Sequence, residues 1–248
     1  MKKCSIKLSL LTAGMLAFGT CHAADGTAWS YLGDEGPENW GSLATEYATC
    51  KTGKNQSPVN ITNTIEGDLP SLELDYKTGG KHVINNGHTV QVNYVQGSTM
   101  QVGDNAFELK QFHVHAPSEN AINGKLYPMD AHFVHADKDG NLAVIGVMFE
   151  IGETNAELEK AWKQMPSEPS GLIELTTAVN ALALMPEDHD YYRFNGSLTT
   201  PPCSEGVSWF VMKEPVTASR EQIAKFSNAM KHPTNRPVQP LNARVIVE

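Results

Sequence analysis

Three histidines in this 248-residue chain have the spacing of metal ligands. His113 and His115 are separated by one residue, and His132 follows after a gap of sixteen residues. Side chains on a β-strand point alternately to opposite faces, so His113 and His115 share a face if this segment is a strand. The gap is rich in turn-forming residues, which allows the chain to return on a neighbouring strand. Three converging imidazoles leave a fourth tetrahedral position open, as in a catalytic zinc site. The alternative is unrelated strand histidines, because one H-x-H pair is a weak signal.

Residues 1–24 have the character of a secretory signal peptide. Three lysines precede an apolar segment of about residues 8–18, and small residues follow around Ala23 and Ala24. We therefore expect cleavage there, with residues 25–248 as one mature domain. The apolar segment is too short to cross a bilayer, so we expect no membrane span. The bacterial appearance of the signal favours the periplasm, with secretion as the alternative.

Cleavage leaves a net charge of −12, because three positive charges are removed from a chain whose charge is −9. An acidic exported protein is a poor match for nucleic acid or an anionic membrane. We expect a small neutral or diffusible substrate instead.

Two cysteines, Cys50 and Cys203, remain after cleavage. In an oxidising compartment they most simply form one disulfide, which would close a loop of about 150 residues. The alternative is two free buried thiols.

Most of the mature chain has the composition of strands separated by turns. Segments rich in Val, Ile, Phe and Met predict strands at 81–95 (broken at Asn86-Gly87), 99–102, 108–115, 131–135, 142–151 and 208–212. The Asp139-Gly140 pair indicates a hairpin between two of these strands.

Helices are predicted at only three places. Residues 155–165 are one, and residues 171–184 are a second because four apolar residues recur there at helical spacing. Residues 219–230 are the third, since Ser219 and Gln222 form a capping-box pattern. The sequence therefore predicts a mainly β (α+β) single domain, built on a large central, mostly antiparallel twisted sheet with a few peripheral helices.

A second motif near residue 200 decides the family. The segment Asn195-Gly196-Ser197-Leu198-Thr199-Thr200-Pro201-Pro202 is a rigid loop that presents two threonine hydroxyls. With the motifs Gln111-Phe112-His113-Val114-His115, Ser118-Glu119-Asn120 and Ala131-His132-Phe133-Val134-His135, the chain resembles an α-class carbonic anhydrase of the exported bacterial type. Further motifs, in the same order, extend the resemblance over nearly all of the mature chain: Trp29-Ser30-Tyr31, Gly36-Pro37-Glu38-Asn39-Trp40, Gln56-Ser57-Pro58-Val59-Asn60-Ile61 and Arg236-Pro237-Val238-Gln239-Pro240-Leu241.

The resemblance implies that Zn²⁺ binds His113, His115 and His132 with a water in the open position. Zinc lowers the pKa of such a water from about 15.7 to about 7, as is established for this enzyme class. The resulting zinc-bound hydroxide would attack carbon dioxide, in a reversible hydration to bicarbonate and a proton.

The resemblance also implies which groups orient the zinc ligands. The Gln111 amide oxygen would accept the ring N–H of His113, and Asp130 would do the same for His132. The family usually has Glu at the position of Asp130, so the tuning of the metal is the feature in question. The backbone carbonyl of Thr234 would accept the ring N–H of His115.

A carboxylate and a hydroxyl are expected to act as a pair. Glu119, if ionised, can only accept hydrogen bonds, so it would take the proton of the Thr199 hydroxyl. The Thr199 oxygen could then only accept from the zinc-bound species, which fixes its orientation. Without the resemblance, Glu119 would be interpreted as an ordinary loop carboxylate.

The remaining site residues fall into a substrate wall and a proton path. The apolar wall for carbon dioxide matches Val134, Val144, Leu198 and Trp209, with Thr200 beside Thr199; without the resemblance all four apolar residues would be core residues. His88 matches the proton shuttle, although its motif alone favours a solvated turn histidine. The polar residues that match the water chain are Tyr31, Asn86 and Gln91.

Two further expectations concern His135 and the cysteines. His135 lies three residues after His132, so on a strand it faces away from the zinc site and is expected to be a buried structural histidine. Cys50 and Cys203 match the disulfide of exported family members, which we expect to brace the Thr199 loop.

Two other functions were weighed against this enzyme. A catalytically silent binding protein on the same scaffold typically lacks a zinc histidine, and here all three are present. A zinc hydrolase of esters would use the same hydroxide, but the small apolar pocket suits carbon dioxide better. A homodimer stays open, since exported bacterial members are often dimers.

Overall fold

A large mixed sheet forms the centre of the computed structural model, which describes residues 27–248. The expected signal peptide at 1–24 lies outside the described residues. The strands are β1 (Asn60–Ile61), β2 (Leu72–Asp75), β3 (Gly80–Asn85), β4 (Val90–Tyr94), β5 (Thr99–Val102), β6 (Asn105–His115), β7 (Ala121–Ile122), β8 (Met129–Ala136), β9 (Leu142–Ile151), β10 (Ile173–Val179), β11 (Tyr191–Ser197), β12 (Glu205–Met212) and β13 (Val216–Ala218).

Helices occupy the periphery of this sheet. The α-helices are α1 (Trp40–Leu43), α2 (Thr49–Thr52), α3 (Ala156–Trp162) and α4 (Arg220–Met230). Three short 3₁₀-helices lie at Gly33–Glu35, Thr45–Tyr47 and Ala181–Leu184. Within residues 27–248, no helix combines the length and the apolar character that crossing a membrane requires.

The sheet has eleven strands, and its main path runs β10-β3-β4-β6-β8-β9-β12-β11. Most neighbouring strands are antiparallel, whereas β9 pairs in parallel with both β12 and β13. β1 and β7 form a separate two-stranded parallel sheet. The predicted fold class, mainly β with a few peripheral helices, is confirmed.

Most of the predicted elements are confirmed. The segment 81–95 is β3 and β4 with a turn at Asn86-Gly87, and the Asp139-Gly140 pair lies in the connection between antiparallel β8 and β9. Two predicted helices are α3 and α4. The capping box of α4 is complete, because Ser219 Oγ accepts the Gln222 amide and the Gln222 side chain accepts the Ser219 amide.

The predicted helix at 171–184 is wrong. The structure has strand β10 followed by a short 3₁₀-helix there, and β10 pairs with β3 at the edge of the sheet. A register shift within β10 leaves both Leu175 and Val179 buried. An irregular strand therefore reproduces the four-residue apolar spacing of a helix.

Two apolar cores lie on opposite faces of the sheet, because successive strand residues alternate between them. Phe133, Ile145 and Phe210 belong to the larger core, which also buries α3 and α4. Their strand neighbours Val144 and Trp209 belong to the other core. The histidines of β6 and β8 stand on this second face.

A disulfide joins Cys50 on α2 to Cys203 on the loop between β11 and β12, with 5.0 Å between the Cα atoms. The expected bridge is confirmed, and it links residues 153 positions apart in the sequence.

Candidate active site

The three histidines of the H-x-H…H pattern converge at the middle of the sheet. His113 and His115 lie on β6, and His132 on β8 is directly opposite His113 in the antiparallel register. Alternation along β6 places both of its histidines on the same face. Ligand nitrogens of the three rings all lie within 4.8 Å of one another. Strand register alone therefore assembles a three-imidazole cluster.

Each imidazole has one ring nitrogen held by a hydrogen-bond acceptor. His113 Nδ1 donates to Gln111 Oε1 at 2.9 Å, and His115 Nδ1 donates to the Thr234 carbonyl at 2.5 Å. His132 Nε2 bonds Asp130 Oδ2 at 3.2 Å. A donated N–H leaves the lone pair on the other nitrogen of each ring, which is the form that binds metal.

This donor set fits a zinc ion. His115 Nε2 is buried and has no hydrogen-bond partner among the described residues. Such an orphaned buried nitrogen is costly unless something occupies its lone pair. Three neutral imidazole nitrogens with no fourth protein ligand match a catalytic zinc site.

The electrostatics also favour neutral ligands and a cation between them. Burial, with repulsion from His115 and His132, holds the pKa of His113 well below its usual value. For His132, burial is outweighed by the Asp130 charge and hydrogen bond, which raise its pKa. The carboxylate beside His132 would attract a bound cation in the same way as it attracts a proton.

Glu119 is fully buried beside the histidines. Its Oε1 accepts the Arg236 backbone amide at 2.9 Å. Its Oε2 lies 3.6 Å from His115 Nε2 and 3.8 Å from His132 Nδ1, and has no hydrogen-bond partner. Among the hydrogen bonds of residues 27–248, none joins Glu119 to Thr199, so that contact stays a prediction.

The histidines form the base of a cavity of about 200 Å³. This cavity brings together, on one side, the expected apolar wall and, on the other, the expected polar residues. Besides the three histidines, its lining comprises Trp29, Tyr31, Asn86, His88, Thr89, Gln91, Gln111, Val134, Val144, Leu198, Thr199, Thr200 and Trp209. Glu119 and Asp130 are absent from this lining; both are fully buried, next to the histidines.

Comparisons with known proteins agree with this geometry. A model of the eukaryotic-type carbonic anhydrase family matches residues 35–248. The chain belongs to this family, the α-class carbonic anhydrases.

Relatives and solved structures place it among bacterial members. It is 46% identical to a carbonic anhydrase of Pectobacterium carotovorum, over 97% of this chain and 98% of that protein. A carbonic anhydrase of Neisseria gonorrhoeae is 48% identical over 97% of both chains. The α-carbonic anhydrase of Thermovibrio ammonificans with the inhibitor sulfanilamide is 52% identical, with a TM-score of 0.88 over 90% of this chain and all of that chain. Dioscorin complexed with ascorbate is 32% identical, with a TM-score of 0.83 over 89% of this chain and 97% of that chain.

The mouth of the carbonic anhydrase pocket is built on aromatic rings. The His88 imidazole stacks on the Trp29 indole, with 3.7 Å between centroids and 12° between planes. Burial, and then repulsion from His232, lower the pKa of His88. Trp29 was missed as a site residue, although it stands in the motif Trp29-Ser30-Tyr31.

The other polar residues expected at the mouth differ in their surroundings. Asn86 Oδ1 accepts the backbone amides of His88 and Thr89, both at 2.9 Å, so this side chain shapes the turn that carries His88. Gln91 Nε2 donates to Asn93 Oδ1 at 2.6 Å. The Tyr31 hydroxyl is buried without a hydrogen-bond partner, and burial together with Glu119 and Asp130 raises its pKa well above the usual value.

Arg236 supports the site from behind and was also missed. Its guanidinium is buried and donates to Gln56 Oε1 at 2.9 Å, to the Ser57 carbonyl at 2.7 Å and to the Cys50 carbonyl at 2.9 Å. Burial lowers the pKa of Arg236 to about 10, although Glu119 opposes the shift. The matched segment beginning at Arg236 was the available signal, but only the fold shows that its backbone holds Glu119.

The loop that carries Thr199 is tied down at several points. Ser197 Oγ accepts the Ser57 amide at 2.8 Å, and Ser57 Oγ accepts the Ser197 amide at 3.1 Å. Trp209 Nε1 donates to the Ser197 carbonyl at 3.0 Å, and the Cys203 amide donates to the Thr200 carbonyl at 2.8 Å. The hydroxyls of Thr199 and Thr200 are therefore presented from a fixed backbone.

His135 lies away from this site, as strand alternation predicts. It is fully buried, and its ring contacts the Tyr76 hydroxyl at 2.6 Å and the Ala143 carbonyl at 3.3 Å. Burial lowers its pKa to about 4. His135 is therefore a structural histidine of the larger core's face.

Proposed function

We propose that this carbonic anhydrase catalyses the reversible hydration of carbon dioxide to bicarbonate and a proton, with Zn²⁺ held by His113, His115 and His132. The observation that carries the proposal is the convergence of three imidazoles, each with one lone pair uncommitted, at the base of a partly apolar cavity. When bound there, zinc supplies the Lewis acidity that makes water a nucleophile at neutral pH. Relatives named carbonic anhydrase at 46–48% identity support the same reaction.

The walls of the cavity bind the substrate. Carbon dioxide is apolar, and the side chains of Val134, Val144, Leu198 and Trp209 provide an apolar surface beside the histidines. Burial of the substrate against them excludes water other than the attacking molecule.

Glu119 and Thr199 orient the reacting oxygen. The Arg236 amide fixes one oxygen of Glu119, which leaves the other to accept the Thr199 hydroxyl proton. The Thr199 oxygen then faces the cavity as an acceptor only, with Thr200 beside it.

The second half of the reaction removes a proton. His88 at the mouth accepts it, since a lowered pKa keeps its ring neutral near physiological pH. Tyr31, Asn86 and Gln91 order the water between the base of the cavity and His88. Export to the periplasm, guided by residues 1–24, completes the proposal, and the Cys50–Cys203 disulfide supports it.

Stopped-flow carbon dioxide hydration tests this function. The mature protein is measured as prepared, after zinc removal by a chelator and after zinc is restored. His115→Ala is measured in parallel, with His189→Ala, remote from the cavity, as the matched control. We expect fast hydration that disappears with the metal and with His115→Ala but persists in the control. Absence of hydration by protein with a full complement of zinc would contradict the proposal.

A further inference from the structure

A second histidine, His232, shares the aromatic support of His88. The Trp29 indole that stacks on His88 also meets the Tyr31 ring edge-on, at 5.4 Å between centroids. The other neighbour of Tyr31 is the His232 ring, at 5.9 Å and a tilt of 41°. The two imidazoles therefore lie on either side of one Trp29–Tyr31 pair, with His88 lining the cavity and His232 outside its lining.

The tautomer of His232 leaves an acceptor free. Its Nδ1 lies 2.8 Å from the Pro233 carbonyl, and a carbonyl can only accept, so Nδ1 carries the proton. Nε2 then has a lone pair, and no hydrogen bond from residues 27–248 occupies it.

The two rings also sense each other's charge. A positive charge on His232 is the second cause, after burial, that lowers the pKa of His88. Such repulsion requires the two rings to be close, and it is reciprocal. The other ionisable groups around the pair are the Tyr31 phenol and Lys231, whose ammonium is 2.6 Å from Glu168. Burial keeps the Tyr31 phenol neutral, so the two histidines are the groups here that change charge near neutral pH.

We propose that His232 is a second proton-transfer residue, which accepts the proton from His88 and passes it to solvent. This inference rests on the proposed function, in which His88 receives the proton from the cavity. In the step, an N–H bond of the His88 imidazolium breaks and an N–H bond forms at His232 Nε2, through an intervening water. His88 returns to its neutral form, and buffer removes the proton from His232.

His232→Ala tests the relay, with His189→Ala as the control and His88→Ala for comparison. The proton leaves after carbon dioxide has been converted, so the relay contributes to kcat and not to kcat/KM. We expect His232→Ala at low buffer concentration to lower kcat about fivefold, less than the ~100-fold typical for a directly acting proton-transfer group. kcat/KM should stay unchanged, and added imidazole should restore kcat. A parallel fall in kcat and kcat/KM would indicate a structural role and overturn the relay, as would an unchanged kcat.

Two further measurements separate the relay from other causes. The titration of His88, followed by NMR, should move to higher pH in His232→Ala because a repelling neighbour has gone; an unmoved midpoint would overturn the coupling. In the double variant, His232→Ala should add no loss to His88→Ala if the residues act in series, and additive losses would overturn the series. Absence of hydration by wild-type zinc protein would instead refute the proposed function, while the NMR shift could still be read.

Discussion

Asp130 differs from the Glu that is usual in this family, and its contacts show what the shorter carboxylate does. Oδ2 bonds His132 at 3.2 Å and accepts the Glu119 backbone amide at 3.0 Å, while Oδ1 is buried without a partner. One oxygen thus orients both a metal ligand and the residue expected to pair with Thr199.

Asp130→Asn should weaken zinc binding. The amide keeps the shape of the side chain but loses the charge that favours a cation at His132, so we expect zinc affinity to fall by about tenfold to 100-fold. Chelator competition measures the affinity. Glu150→Gln, an exposed carboxylate of β9, is the control and should bind zinc as the wild type does. Equal affinity in both variants would mean that the Asp130 charge does not tune the metal.

His135 predicts how stability depends on pH. Its folded pKa of about 4 lies below the unfolded value near 6.5, so the unfolded chain binds a proton that the folded protein rejects between these values. The stability is fully present above pH 6.5 and is lost as the pH falls towards 4. We expect about 3 kcal/mol of the unfolding free energy to be lost in this window because of His135.

His135→Gln isolates this contribution, since Gln can still donate to Ala143 and accept from Tyr76 but does not titrate. Urea unfolding at pH 7 and pH 4 should show a smaller difference in this variant than in the wild type. His189→Gln, which lies outside the core, should retain the wild-type difference. Equal pH dependence in all three proteins would refute the role of His135.

At the scale of elements, the hairpin of β11 and β12 places the Thr199 loop against the site. Gly196 lies at the end of β11, where an added Cβ would be 2.1 Å from Ser57 Oγ and 2.8 Å from Trp209 Cδ1. No side chain fits there without movement of the strand or of its neighbours.

Gly196→Ala should therefore displace the loop. We expect the overpacked strand to lose about 2 kcal/mol of unfolding free energy. kcat/KM should fall by about tenfold to 100-fold, because small misplacements of positioning groups are costly. Gly171→Ala is the control, since its Cβ would meet nothing within 4 Å. Urea unfolding and stopped-flow hydration measure the two effects. A Gly196→Ala variant with wild-type stability and kinetics would show that the strand yields at no cost.

Local patterns predicted the elements whose period is clean. The one-residue spacing of His113 and His115 placed them on one face, and the Ser219 capping box marked the start of α4 at the correct residue. Residues 171–184 failed because pairing with β3 and a register shift, neither of which is visible locally, decide the structure of β10. The strand β11 was hidden because its last residues were interpreted as part of the Thr199 loop.

At the scale of the whole molecule, four distant segments meet behind the zinc histidines. The Arg236 guanidinium bonds Gln56, Ser57 and Cys50, while its backbone holds Glu119. Cys50 in turn is bonded to Cys203, which follows Thr199 and Thr200 on their loop. The sequence motifs indicated that these residues matter, but contacts across more than 100 residues depend on the fold and could not be inferred from spacing.

The Cys50–Cys203 bridge should therefore affect both stability and activity. For a loop of 153 residues, the entropic model gives about 5 kcal/mol of stabilisation from restriction of the unfolded chain. The double variant Cys50→Ser/Cys203→Ser should lose unfolding free energy of that order in urea. Its Thr199 loop, freed from α2, should also hydrate carbon dioxide more slowly.

Zinc content separates bracing of the loop from collapse of the site. The ligands lie on β6 and β8, away from the bridge, so we expect a full complement of zinc in the double variant and in the reduced wild type at temperatures where both are folded. Reduction should thus lower kcat/KM in the wild type while the metal stays bound, and should leave the kinetics of the double variant unaltered, since it has no bridge to reduce. Unchanged kinetics in reduced, folded, zinc-loaded wild type would show that the bridge stabilises the chain without positioning Thr199.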